Sequence, residues 1–161
     1  HAMSRRQRQM CIRDRIMADA LAFASESKPD IICDVATLTG AAYVALGVEI
    51  GAVFSNNKVT LDSFLNSNND GFENYHSLPL EQSYKSQIKS NIADMKNSGG
   101  RFGGAITAAL LLEEFVDDLN WIHLDIAGPA RSRSSNSIYP EGGTGFGVLG
   151  YFNFLANEAN D

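Results

Sequence analysis

The sequence predicts an α/β domain with a largely parallel sheet. Short apolar runs of strand type alternate along the chain with segments whose apolar residues follow helical spacing. Two of the runs, Asp34–Gly40 (DVATLTG) and Trp121–Ala130 (WIHLDIAGPA), break into loops of small residues. Buried strands that end in this way bring backbone groups to a ligand at the carboxyl edge of a sheet. We therefore expect both segments to contribute to one ligand-binding edge.

The first half of the chain alternates helix and strand. The segment Ile16–Lys28 is expected to be helical, because its apolar residues share one face and a proline follows. Asp30–Ala36 is an apolar run of strand type, and the short helix expected over Ala41–Leu46 ends at a glycine. Ile50–Ser55 is a second strand that ends at an Asn-Asn turn, and Val59–Asn66 has its large apolar residues on one helical side.

The second half repeats this alternation. Gln82–Ser90 is a weaker helix candidate, whereas Ala105–Val116 consists of strong helix formers after a glycine-rich stretch. Trp121–Ile126 is the third expected strand, and a Gly-Pro pair ends it. Arg131–Gly145 is expected to be a long polar loop, and Phe146–Asn157 a final apolar helix.

Length and composition indicate one domain of ordinary globular type. The chain has 161 residues, of which 44% are hydrophobic and 20% charged. No stretch approaches the roughly 20 apolar residues of a membrane span, so we expect no membrane partner. Two cysteines make no disulfide framework, and this usage favours a reducing, cytoplasmic location.

Charge divides the chain into a basic head and an acidic body. Residues 1–15 contain five arginines and one aspartate, whereas residues 16–161 contain 8 basic and 18 acidic side chains, a net charge of −10. An acidic body repels phosphates, so we do not expect a nucleic-acid partner. We interpret residues 1–15 as sequence foreign to the domain and residues 16–161 as the domain. A nucleic-acid arm is the alternative for the head.

Several side chains are candidates for chemistry, each with a structural alternative. His123 and Asp125 lie two apart on a strand and could form an acid–base pair, although a structural hydrogen-bonded pair is favoured. Asp34 and Asp94 could bind a metal or hold loops, and both interpretations stay open. The glycines of Gly99–Gly104 favour close backbone packing over a phosphate site, because no P-loop lysine follows.

Residues of the loop after the first strand have two possible roles. Backbone groups of Thr37–Gly40 could grip the amine or carbonyl of a substrate, and Gly40 allows close approach. Thr39 could instead cap the helix that begins near Ala41. The two roles are compatible with one another.

Four long segments, in order and with matching spacing, carry a resemblance to a known family. They are Asp34–Gly47 (DVATLTGAAYVALG), Ser90–Val116 (SNIADMKNSGGRFGGAITAALLLEEFV), Trp121–Ala130 and Gly142–Leu155 (GGTGFGVLGYFNFL). In these segments the chain resembles the leucyl aminopeptidases, also called cytosol aminopeptidases. The resemblance extends over about Ile16–Ala156 and corresponds to the C-terminal part of the catalytic domain.

The resemblance implies a three-layer α/β sandwich with a mixed, mainly parallel central sheet flanked by helices, here truncated. It implies an enzyme that releases N-terminal residues such as leucine from peptides with two divalent ions, zinc, manganese or magnesium. It also implies a cytoplasmic homo-hexamer. Carried over by motif, the Leu38 backbone carbonyl lies near the reacting centre. The other implied substrate-binding residues are Thr37, Thr39, Gly40, Tyr43, Ala127 and Ala130.

The family's metal ligands have no counterpart in the matched residues. The family motif N-T-D-A-E-G-R leads into the first helix, but Met10–Arg15 (MCIRDR) stands at that place. We therefore assign no metal ligand and no catalytic residue, and we expect the chain alone to be inactive. We also expect the truncated sheet to expose apolar surface. Two alternatives remain: a non-catalytic binding module of the same fold, for example DNA-associated, and a different hydrolase that uses His123 and Asp125.

Overall fold

A mixed four-stranded sheet forms the centre of the domain. The computed structural model describes residues 15–69, 71–91, 95–96, 99–100, 102–135 and 139–159. The sheet order is β1-β4-β2-β3, in which β1 with β4 and β2 with β3 are parallel and β2 with β4 are antiparallel. The strands are β1 Ile31–Ala36, β2 Ile50–Ser55, β3 Asn74–Ser77 and β4 Asn120–Asp125. The predicted α/β class and the mixed sheet are confirmed.

Helices cover both faces of this sheet. Helix α1 occupies 15–26, and none of the helices in the described ranges is long and apolar enough to cross a membrane. The weak candidate after residue 81 forms a 3₁₀ helix, Gln82–Gln87. The polar loop contains a small hairpin of β5 and β6. The remaining elements are α2 Gly40–Leu46, α3 Lys58–Ser67, α4 Gly104–Glu113, β5 Arg131–Ser132, β6 Gly142–Gly143 and α5 Val148–Glu158.

Side-chain alternation along β4 separates two apolar cores. Trp121 points to the face covered by α1, α2 and α4, where Leu110 and Leu112 are buried. Ile122 and Leu124 point to the opposite face, which α3 and α5 cover. The result is a three-layer arrangement of helices, sheet and helices.

Glu73, a buried acidic residue just before β3, holds the start of helix α5. Its Oε1 accepts a hydrogen bond from the Gly147 N–H at 2.9 Å, and its Oε2 accepts from the Gly150 N–H at 2.7 Å. The Tyr75 hydroxyl donates to Oε2 at 2.6 Å. The first N–H groups of a helix lack partners within the helix, and its N-terminus favours negative charge. Glu73 therefore fixes α5 against β3.

We predict that Glu73→Ala lowers the free energy of unfolding by about 2–4 kcal/mol, because two N–H groups and one hydroxyl lose a charged partner. Urea unfolding followed by circular dichroism measures the change. Glu26→Ala, on the exposed side of α1, is the control and should leave the midpoint unchanged. Equal midpoints for the two variants would show that Glu73 does not hold α5.

Candidate substrate-binding site

The buried carboxylate of Asp125 joins two loops at one edge of the sheet. Strands β1 and β4 are parallel, with Ala36 opposite Asp125, so their carboxyl ends lie together. Asp125 Oδ1 accepts from the N–H groups of Leu38 and Ala127, both at 3.1 Å. Its Oδ2 accepts from the Thr39 N–H at 3.0 Å and the Thr39 hydroxyl at 2.6 Å. The two segments that were predicted to share one edge therefore meet at one carboxylate.

These bonds determine where the Leu38 carbonyl points. In a trans peptide the N–H and C=O groups point in opposite directions, and the described residues contain no cis peptide. The Thr39 N–H points at Asp125, so the Leu38 carbonyl of the same peptide unit points away from that carboxylate. A carbonyl oxygen accepts hydrogen bonds, so this group can receive an ammonium or amide N–H.

Thr39 also begins helix α2, as one of its two interpretations predicts. Its Oγ1 accepts from the Ala42 N–H at 3.0 Å, while the same hydroxyl donates to Asp125. The side chains of Leu38 and Thr39 are buried, whereas Thr37 and Gly40 are exposed. Thr39 thus connects the end of β4 with the start of α2.

The second of these segments, Trp121–Ala130, ends in a tight turn that follows β4. The Ile126 N–H donates to the Ala36 carbonyl at 2.9 Å, and the Ala130 N–H donates back to the Ile126 carbonyl at 3.0 Å. Gly128 lies so close to the Gly47 carbonyl that a Cβ at this position would overlap it. Glycine at 128 is therefore required for the turn to pack against the end of α2.

The predicted site residues divide between two cavities. Thr37 and Leu38 line a smaller cavity of about 240 Å³ together with Ile16 and Met17. Thr39, Gly40 and Ala130 line neither of the two. Tyr43 and Ala127 line a larger cavity of about 510 Å³, whose wall also includes Glu49, Phe72, Arg131 and Arg133.

Sequence reasoning missed the arginines of the larger cavity. Arg131 and Arg133 fall in the segment that we expected to be only a polar loop. Their alternation with serine in RSRS is the signal that could have indicated two arginines on one side of an extended segment.

Asp34 and His123 form a buried polar group across strands β1 and β4. They are direct partners in the strand register, and His123 Nδ1 donates to Asp34 Oδ1 at 2.5 Å. Trp121 Nε1 donates to Asp34 Oδ2 at 2.6 Å. The His123 ring stacks with those of Phe54 and Trp121, with ring centroids 5.9 Å apart in each pair.

The suggested acid–base pair of His123 with Asp125 is therefore wrong, and so is the favoured structural hydrogen bond between these two residues. Both side chains lie on one face of β4, as alternation predicts, but His123 binds Asp34 and Asp125 binds the loops. His123 is completely buried, so it cannot reach a substrate. The alternative of a different hydrolase that uses His123 and Asp125 is therefore not supported.

The surroundings of these groups change two pKa values. Burial by itself would lower the pKa of His123, but the charge and hydrogen bond of Asp34 and the charge of Asp125 raise it above 6.5. Burial, followed by the charges of Asp34 and Glu158, raises the pKa of Cys33 to about 12. The Cys33 thiol therefore stays protonated and is not a nucleophile.

The described residues do not fit the two-metal site that the resemblance implies. No group of three or more His, Cys, Asp or Glu side chains in the described part of the chain is placed to hold a metal ion. The carboxylates of Asp125 and Asp34 already accept hydrogen bonds from neighbouring N–H and O–H groups. Asp94, the second metal candidate, and the head up to residue 14 lie outside the described residues.

The described glycines of Gly99–Gly104 serve close packing, as favoured. A Cβ at Gly99 would overlap the Thr107 side chain, and one at Gly103 would overlap Tyr84. Gly103 also has a φ of 67°, which favours glycine. The predicted packing role is confirmed.

Fold and loop geometry define the class of protein. The mixed α/β sandwich of this chain is similar to parts of two solved structures. A mutant of tomato leucine aminopeptidase superposes with a TM-score of 0.81 at 38% identity, covering 88% of this chain and 27% of that one. The bottromycin maturation enzyme BotP superposes with a TM-score of 0.87 at 36% identity, covering 92% and 33%.

The family follows from the sequence comparison. The model of the cytosol aminopeptidase family, catalytic domain, matches residues 15–150, and the chain belongs to this family. A protein named "Probable cytosol aminopeptidase" from Synechococcus is 48% identical over 144 residues, and its namesake from Syntrophotalea carbinolica is 47% identical over 143. The chain spans about 29% of the length of each of these relatives.

We predict that Asp125→Asn destabilises the domain by roughly 2–4 kcal/mol. Asparagine has an NH2 group in place of one carboxylate oxygen, and this group cannot accept the hydrogen bonds that the oxygen accepts. Chemical unfolding measures the loss, and Asp118→Asn on the exposed surface is the matched control. Nuclear magnetic resonance should show the amide signals of Leu38, Thr39 and Ala127 shifted in the Asp125 variant. Unchanged amide signals and stability would contradict the role of Asp125.

We predict a pH-dependent contribution from His123. Its pKa is raised in the folded state, so its stabilisation is fully present below about pH 6.5 and is lost as the pH rises through the folded-state pKa. The Tm difference between the wild type and His123→Gln should therefore be largest near pH 6 and decrease at higher pH. His76→Gln, at an exposed position, is the control. A difference that grows with pH would contradict the sign.

Proposed function

We propose that this chain forms the substrate-binding wall of a metal-dependent aminopeptidase that releases N-terminal residues such as leucine from peptides. One observation carries the proposal: Asp125 holds the Leu38–Thr39 peptide and Ala127 at the same sheet edge. Membership of the cytosol aminopeptidase family supports the reaction class.

The proposed roles follow from this arrangement. The family resemblance implies that the Leu38 carbonyl lies near the reacting centre, and its direction away from Asp125 supports this role because the carboxylate does not face it. Thr37 and Gly40 are exposed beside it, and Thr39 contributes its backbone. Tyr43, Ala127 and Ala130 form the wall around the first side chain of the substrate.

The enzyme is also proposed to contain metal ions and to form an assembly of several subunits. Two divalent ions, zinc, manganese or magnesium, are held by ligands outside the described part of the chain. The proposed assembly is a homo-hexamer in the cytoplasm. The name of the homologues, cytosol aminopeptidase, supports the cytoplasmic location, whereas the two ions and the hexamer are what the family resemblance implies.

We predict that the chain binds leucine p-nitroanilide but does not hydrolyse it, even with Mn²⁺. Nuclear magnetic resonance should show shifts of the amides at 37–40 and 127–130, and absorbance should show no released nitroaniline. Gly40→Val should abolish these shifts, because a branched side chain covers the exposed approach to the loop. A Cβ at Gly40 meets no atom within 4 Å, so the variant should fold.

Gly143→Ala is the control. A Cβ at Gly143 also has free space, and this residue lies outside the proposed substrate-binding wall. Shifts that spread elsewhere, or that persist in the Gly40 variant, would refute the proposed wall. Turnover that survives repurification would refute the predicted inactivity.

A further inference from the structure

The larger cavity of about 510 Å³ has a chemistry that the proposed wall does not explain. Its volume lies within the range of about 300–1,000 Å³ that is typical of ligand sites. It shares Tyr43 and Ala127 with the proposed wall, so it opens beside the substrate path. Phe72 adds apolar surface, and Arg131 and Arg133 add two positive charges.

The two arginines have no carboxylate partner among the described residues. The ion pairs of the described part of the chain involve Lys58, Lys85 and His123, and neither Arg131 nor Arg133 takes part in one. Both arginines are exposed at the cavity. The two guanidinium groups thus place positive charge at a cavity in a body that has a strong acidic excess.

Glu49 limits the charge that the cavity can accept. It lines the same cavity, and its negative charge acts there: burial, followed by the charges of Glu73 and Glu49, raises the pKa of Tyr139. Among the described lining residues, two guanidinium groups face the carboxylate of Glu49, and the charge of Glu73 also reaches Tyr139 in the wall. A carboxylate, which carries one negative charge, meets less repulsion from these two acidic side chains than a doubly charged phosphate would.

We propose that Arg131 and Arg133 bind a carboxylate of the peptide substrate in this cavity. The planar guanidinium group donates two parallel hydrogen bonds to a carboxylate, and the aromatic rings cover apolar parts of the peptide. The inference rests on the proposed function, because it places the carboxylate on a peptide whose N-terminus lies at the wall. The carboxylate belongs either to an acidic side chain or to the C-terminus of a short peptide.

Calorimetric titration of the full chain with three dipeptides separates these sources. Leu-Asp amide carries only a side-chain carboxylate, Leu-Asn carries only a C-terminal carboxylate, and Leu-Asn amide carries neither. We expect one or both carboxylate peptides to bind about tenfold more tightly than Leu-Asn amide, as two charge-assisted hydrogen bonds at an exposed site imply. Each peptide that binds more tightly than Leu-Asn amide identifies its own carboxylate, from the side chain or the C-terminus, as one that the arginines bind.

Variants test the residues. The double variant Arg131→Gln with Arg133→Gln should reduce the carboxylate peptides to the affinity of Leu-Asn amide. Glu49→Gln should tighten their binding a few-fold, since it removes the opposing charge. Arg15→Gln, in helix α1 and outside the cavity wall, is the matched control and should change nothing. Unchanged circular dichroism spectra verify that the exposed substitutions leave the fold intact.

The outcomes separate this inference from the proposed function. Equal affinity for the three peptides, or tight binding that survives the double variant, overturns the carboxylate site and leaves the proposed wall in place. If N-acetylated Leu-Asp amide binds as tightly as the free peptide, the carboxylate site stands and the recognition of a free N-terminus fails. Absence of binding for every peptide and for succinate overturns both.

Discussion

The buried carboxylate of Asp125 is the constraint on which the rest of the site depends. It accepts four hydrogen bonds from the ends of two parallel strands, and each bond fixes a different part of the edge. Leu38 and Thr39 give the first loop its direction, Thr39 in turn begins α2, and Ala127 begins the second loop. A buried charge without partners would cost several kcal/mol, so the loops and the carboxylate stabilise one another.

A second buried carboxylate that accepts backbone N–H groups lies next to β3, the strand at the far edge of the sheet. Glu73 is buried and accepts two N–H groups of the start of α5, as Asp125 accepts the N–H groups that precede α2. Asp34 is a third such group, but its donors are the side chains of Trp121 and His123. Part of the acidic excess of this chain is thus structural. These carboxylates connect strands to helices and loops. Hydrogen bonds from backbone or side-chain N–H groups stabilise their charges, in place of ion pairs with lysine or arginine.

Patterns within short stretches of sequence predicted most of the helices and strands. The polar contacts between side chains depend instead on which strands pair. Three of the four strands and the cap at Thr39 follow from short-range signals, namely apolar runs, glycine stops and a threonine before a helix. Strand β3 has four residues, too few for alternation to be recognised. The pairing of His123 with Asp34 depends on the register of strands that are nearly ninety residues apart. Alternation within β4 could place His123 and Asp125 on one face but could not show that each has another partner.

The separation of the site residues into two cavities follows from the same connection. Asp125 draws the Leu38–Thr39 peptide towards the end of β4, which buries both side chains and directs the Leu38 carbonyl away from the carboxylate. Ala127 lies beyond the carboxylate, beside Tyr43 and the arginines. An amine at the Leu38 carbonyl and a carboxylate at Arg131 would therefore be bound on elements with one common anchor. On such a frame, which peptides fit depends on the separation between the two charged ends of the ligand.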